Sequence, residues 1–164
     1  VENLRGNVNT RLRQLEERNW HGAIFAAAGL ERIGLRPDNA VELDWMLPAP
    51  AQGAIIVVCR ESDRYNTEVC RPFHDAYTGL CTSIERDFLR ALLGGCSTPI
   101  SALAEIDNGS VIFRGNILSR DGKLKKEVYK KVLMQQSATL GKDAAIELLR
   151  DGGQEILNSI RNEN

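Results

Sequence analysis

The sequence predicts an α/β unit followed by a small α+β domain, the latter a three-stranded antiparallel sheet with helices on one face. Three observations carry this reading. Two short apolar runs, residues 23–28 (AIFAAA) and 54–59 (AIIVVC), have the near-continuous hydrophobicity of buried strands in a covered sheet. Leu80, Ile84, Phe88 and Leu92 recur every four residues, which is the apolar stripe of a helix. After that helix come three strand-like segments, separated by the turn sequences Asp107-Asn108-Gly109 and Arg120-Asp121-Gly122.

Taken in order, residues 1–47 read as one α/β unit. Residues 5–9 (RGNVN) form a turn-rich loop, and residues 10–18 a short helix burying Leu12 and Leu15. The strand at 23–28 ends at Gly29, and residues 30–33 make a single helical turn before Gly34 and Pro37. Residues 47–53 (LPAPAQG) lack periodicity and read as a hinge. The second buried strand, 54–59, is rich in β-branched residues. From His74 the helical stripe runs to Gly94-Gly95, a natural stop. Residues 101–106, 110–118 and 123–133 are expected strands. Residues 138–149 and 154–160 are expected helices, separated by Asp151-Gly152-Gly153.

Composition bounds the function. A chain of 164 residues with 43% hydrophobic content can bury a core or two small ones. A net charge of −1 with 26% charged residues excludes a general nucleic-acid binder, which would be strongly basic. No run of about 18 apolar residues exists to form a membrane-spanning helix, and the N-terminus lacks the pattern of a signal peptide. A start without Met, close to a functional loop, reads as a fragment. The cysteines, Cys59, Cys70, Cys81 and Cys96, contain no C-x-x-C pair, and His21 and His74 are remote from each other. No metal site is expected; reduced thiols in a cytoplasmic protein are.

Three places could carry chemistry. Cys96 lies in Gly94-Gly95-Cys96-Ser97-Thr98-Pro99-Ile100, just past a helix C-terminus whose partial negative charge disfavours a thiolate. Nucleophilic cysteines usually sit at a helix N-terminus or beside a histidine. Read locally, Cys96 is a structural thiol or a covalent attachment point, which needs little activation. Second, Arg5 and Arg11 flank Gly6-Asn7 at the start of a helix. Free N–H groups and planar guanidinium forks there describe an anion cradle, unless both arginines are simply solvated. Third, Arg32 follows the first apolar run, at the end of a strand where α/β sheets place ligands, or else it pairs with Glu31. Lys123, Lys125, Lys126, Lys130 and Lys131 read as solvated charges on an edge strand. Trp20 and Trp45 read as core or interface packing.

In this order these pieces resemble the porphobilinogen deaminase family, essentially along the whole chain. The resemblance rests on Arg5-Gly6-Asn7-Val8, Thr10-Arg11-Leu12, Ala26-Ala27-Ala28-Gly29-Leu30, Arg32, Gly34-Leu35 and Pro48-Ala49-Pro50-Ala51-Gln52-Gly53-Ala54. It continues through Cys59-Arg60, Glu85-Arg86, Gly94-Gly95-Cys96, Pro99-Ile100 and Ala104-Glu105. The family is a three-domain hydroxymethylbilane synthase that joins four porphobilinogen molecules, releasing ammonia, for haem and related tetrapyrroles.

The resemblance implies a dipyrromethane cofactor bound by thioether to Cys96. It further implies cofactor contacts from Arg5, Gly6, Asn7 and Arg11, with substrate carboxylates held by Arg11 and Arg32. Residues 1–53 would be the later part of a periplasmic-binding-protein-like α/β domain plus hinge. Residues 54–73 would return to the first domain, and 74–164 would be the C-terminal α+β domain carrying the cysteine. The family's catalytic aspartate belongs to the first domain, so no catalytic residue is expected here and the chain alone is expected to be inactive. The whole enzyme is expected to be a cytoplasmic monomer that binds neither nucleic acid nor membrane.

Two departures stand out. Ser97-Thr98 replaces a frequent Gln-Val, and Asn9 replaces a frequent glycine, which is expected to disturb the loop backbone. Two competing readings are a non-catalytic anion-binding module with a structural cysteine, and a thiol enzyme using His21 or His74.

Overall fold

The three alternating segments pair into one antiparallel sheet in the order β1-β2-β3: β1 Ile100–Asp107, β2 Ser110–Leu118 and β3 Lys125–Leu133. These and the other elements come from a computed structural model that describes residues 2–92 and 98–162. Register is pinned at the first hairpin, where Asp107 faces Ser110 across a two-residue turn. Asn108 (φ 47°) and Gly109 (φ 76°) both take the positive φ that this tight turn demands. The second turn runs longer than expected. Asp121 accepts from the Ser119 hydroxyl at 2.6 Å and the Lys123 amide at 3.2 Å, so β3 begins at Lys125.

Alternation sends Ile100, Ala102, Ala104, Val111, Phe113, Ile117 and Val128 to one face, where they are buried. Against them pack α4 (Ala76–Ala91), α5 (Leu140–Leu148) and α6 (Gln154–Asn162), through Ile84, Phe88, Leu140, Ala144, Leu148, Ile156 and Ile160. Phe88 and Phe113 meet edge to face at the centre, with ring centroids 5.1 Å apart. The expected helix at 138–149 is divided: residues 134–139 form a 3-10 turn and α5 starts at Leu140. Gly152, at φ 100°, makes the break before α6.

Asp75 caps α4 by accepting from the Thr78 amide at 2.7 Å, and this bond is the main reason its carboxyl is held below its ordinary value of 3.8. A carboxylate with a lowered folded-state pKa contributes stability above its unfolded value, and that contribution is lost as pH falls through the folded one. Thermal melts are therefore expected to show stability declining as pH falls below about 4, with the decline flattened in Asp75→Asn.

The chain divides into two compact units, Val1–Leu43 and Asp44–Asn164. The first contains α1 (Val8–Glu17) and α2 (Ala27–Arg32). Its helix positions broadly follow expectation, but Leu12 and Leu15 are only half-buried; Leu30 is the buried apolar side chain among the unit's described residues. The strand expected at 23–28 is absent. Residues 23–26 are unpaired, Ile24 is 70% exposed, and the chain enters α2 at Ala27. The same correction applies to 54–59, which has no strand partner and leaves Ile55 87% and Val58 80% exposed. A strand needs an edge on which to hydrogen-bond, and neither run is paired with one among the described residues. Trp45 is not core either, being 72% exposed. After the second run, α3 (Arg64–Cys70) is short and capped by Asp63.

The lysines of β3 lie on an edge strand, as expected, and are ion-paired: Lys125 with Glu127, Lys126 with Asp151, Lys130 with Glu147 and Lys131 with Asp107. No helix among the described residues is long and apolar enough to cross a membrane.

Candidate functional site

Asn7 ends the 5–9 loop by capping α1, its side-chain oxygen accepting from the Thr10 amide at 2.8 Å. The turn into that cap needs Gly6 at φ 116°, and a Cβ there would also meet the Thr10 methyl at 2.9 Å. Arg11, one turn into the helix, folds back so that Nε donates to the Gly6 carbonyl at 2.7 Å. A guanidinium has five N–H donors in a planar fork. One is used to orient the group, and the four on the terminal nitrogens remain for a ligand. Gln14 donates to the Arg5 carbonyl at 3.4 Å, tying the loop to the helix from its other end. Asn9 lies within α1 with no positive φ, so the expected disturbance from replacing glycine does not arise.

The arginines of this unit divide into two sets. Arg13 pairs with Glu17 at 3.6 Å, Arg18 with Glu2 at 3.8 Å, and Arg36 with Glu31 and Glu42 at 2.7 and 2.6 Å. Arg5, Arg11 and Arg32 have no carboxylate at ion-pair distance among the described residues. Glu31, the neighbour that would have neutralised Arg32, is taken by Arg36. The three arginines singled out from sequence are thus the three of this unit without a carboxylate partner among the described residues. Arg5, Gly6, Asn7 and Arg11 are brought together on one loop and helix start. Arg32, in the last turn of α2, is joined to that loop by no hydrogen bond among the described residues.

Cys96, with Gly94, Gly95 and Ser97, lies outside the described residues. The elements on either side are α4 and β1. The remaining thiols are Cys59, hydrogen-bonded to Thr67 at 3.4 Å, Cys70, and Cys81. Cys81 lines an open cleft of about 360 Å³ beside Gln52, Thr78 and Glu85. Burial pushes its thiol above its ordinary value, reinforced by the negative charges of Glu85, Glu105 and Asp75, which is the opposite of activation. No cluster of three or more metal-ligating side chains occurs among the described residues.

Comparison with known proteins then bears on the whole length. Residues 1–68 match a family model described as porphobilinogen deaminase, dipyromethane cofactor binding domain. Residues 79–150 match porphobilinogen deaminase, C-terminal domain. The chain belongs to the porphobilinogen deaminase family. Curated porphobilinogen deaminases from Brevibacillus brevis and Acidithiobacillus ferrooxidans are each 38% identical, covering 100% and 99% of this chain and 53% of their own length. One from Listeria innocua is 35% identical over 99% of the chain and 53% of its own. The chain therefore spans about half the length of the curated relatives it matches. The cradle of α1 lies inside the match to the cofactor-binding domain of the porphobilinogen deaminases.

Sequence reasoning missed one residue of consequence. Glu85 is 5% exposed, and its two oxygens accept from the Ala104 and Ala51 amides at 2.8 and 2.6 Å. The available signal was a charge beside Ile84, on the side of α4 that carries the apolar stripe.

Proposed function

We propose that the protein carrying this chain is a hydroxymethylbilane synthase, joining four porphobilinogen molecules with release of ammonia on a dipyrromethane tethered to Cys96. The observation that carries the proposal is the division of arginines: among the described residues Arg5, Arg11 and Arg32 have no carboxylate partner, in a unit whose other arginines hold carboxylates. Every pyrrole of this chemistry brings two carboxylates, which need planar cations more than they need a pocket. The cradle fits such a group, with Arg5 and Arg11 holding its carboxylates and the amides near Gly6 and Asn7 assisting. Arg11 and Arg32 receive those of the incoming substrate. When bound, the cofactor supplies the pyrrole carbon on which the chain grows. The work of these residues is to hold carboxylates in register and to neutralise their charge.

In this reading residues 1–53 are the end of an α/β domain with its hinge. The exposed apolar run at 54–59 is a strand that pairs with the sheet of a first domain, which also accounts for side chains apolar on both faces. The chain on its own does not complete the reaction, because the family's acid-base aspartate belongs to that first domain. The working protein is a cytoplasmic monomer that needs no metal.

Steady-state kinetics on the protein carrying this chain test the proposal. Losing one carboxylate clamp removes hydrogen bonds to a charged group worth about 1.5–3 kcal/mol. Arg11→Ala and Arg32→Ala are thus expected to lower kcat/KM by about 10- to 100-fold. Arg13→Ala, whose partner is Glu17, is expected to stay within about twofold. Equal effects from the paired and unpaired arginines would remove the basis of the proposal.

A further inference from the structure

β1 is an edge strand, and two of the amides along its free edge are taken by two different groups. Ala102 donates to the Pro48 carbonyl at 3.0 Å, and Ala104 to Glu85 Oε1 at 2.8 Å. The other oxygen of the same carboxylate, Oε2, accepts from the Ala51 amide at 2.6 Å. Glu85 is 5% exposed and has no cation at ion-pair distance among the described residues. A buried carboxylate without a counter-ion persists only when hydrogen-bond donors replace the lost water, and here two backbone amides do so. Those donors come from segments far apart in sequence. Residues 48–53, which composition alone reads as a loose hinge, are thereby bonded to the sheet edge at Pro48 and to α4 at Ala51. Ala51 adopts φ 61°, a conformation disfavoured for an L residue, so this stretch is held in a shape it would not choose unaided.

We infer that Glu85 is a positioning residue: a two-armed clasp that fixes residues 48–53 to the C-terminal domain and sets the base from which the exposed apolar run 54–59 extends. It requires an acceptor at both oxygens. Glutamine has the same shape but one acceptor, and its NH2 group would face an amide donor. Between the two arms, Ala104 is held in the sheet by its neighbours, so Ala51 is the one released.

Residue-resolved amide exchange on the 164-residue chain reads this directly. In Glu85→Gln the Ala51 amide is expected to exchange at least about tenfold faster, the factor for one lost hydrogen bond to a charged group. Ala104, Val111 and Phe113 are expected to keep their protection. If Glu85 serves only to fill space, the isosteric variant leaves Ala51 unchanged; that result, or a uniform acceleration of all four amides, overturns the inference. Should the variant not fold, the wild-type chain still decides. Ala51 is expected to exchange more slowly than Gly53, two residues on, whose amide has no acceptor among the described residues, and equal intrinsic-rate-corrected exchange at the two overturns it.

Discussion

Cys96→Ala is expected to abolish hydroxymethylbilane formation by the protein carrying this chain, and to remove a dipyrromethane-sized adduct from its intact mass. The effect is all-or-none because of what a tether does. A group attached by a thioether cannot be diluted away, and it meets its arginines at an effective concentration of about millimolar or more. Remove the bond and retention rests on carboxylate pairs alone, while each addition of substrate has to compete with loss of the growing chain. On the proposed function, arginine substitutions are therefore expected to weaken the reaction by degrees, and loss of the Cys96 sulfur to end it. The position also suits a permanent bond better than a turnover nucleophile: in sequence it follows a helix C-terminus, where the dipole disfavours a thiolate. Cys81→Ala is the control, since its thiol is pushed away from ionisation by burial and by three carboxylates; adduct and activity are expected to survive it. Intact mass spectrometry of the wild type, Cys96→Ala and Cys81→Ala separates the readings. An unmodified wild-type mass, with normal folding, would favour the binding module with a structural cysteine.

What sequence could and could not convey follows a physical division. The C-terminal sheet and helices were legible because their signals are local. Strand alternation, the Asp107-Asn108-Gly109 turn and the four-residue stripe of α4 are each written within a few residues of where they act. The turn and helix start at residues 5–11 were legible for the same reason, since a glycine, a capping asparagine and a following helix define one another. The apolar runs at 23–28 and 54–59 form no strand among the described residues, because hydrophobicity announces burial without naming a partner. A strand exists only if another edge accepts it, and that edge is not among the described residues. Glu85 was invisible as a clasp because its partners are the backbone amides of Ala51 and Ala104, which carry no side-chain signature at all.

Gly141 shows the same limit in the packing, and leads to the largest expected loss of stability. By sequence it is an unremarkable glycine near the start of a helix, a place where alanine should improve helix propensity by about 1 kcal/mol. In the fold it is buried in the first turn of α5, where α5 crosses α4. A Cβ at this position would run into the Ile84 carbonyl oxygen, and would stand 2.9 Å from the Phe88 amide nitrogen and 3.1 Å from the Asp87 Cβ. Two of these obstacles are backbone, which cannot rotate out of the way as a side chain tip does, so the two helices must separate. Separation disturbs Phe88, which is fully buried against Phe113 at the centre of the core. Overpacking usually costs about 1–3 kcal/mol. With rigid atoms as the obstacle, Gly141→Ala is expected to lie at or above the upper end, about 3 kcal/mol after any propensity gain. In a domain stabilised by about 5–15 kcal/mol, that is a large fraction of the total. Chemical denaturation of the wild type, Gly141→Ala and Gly122→Ala provides the measurement. Gly122 has open space around its Cβ position and only its φ of 71° to lose, so its cost is expected to be about 1–2 kcal/mol. A Gly141→Ala protein as stable as the wild type would mean that α4 and α5 do not approach as closely as the structure has them.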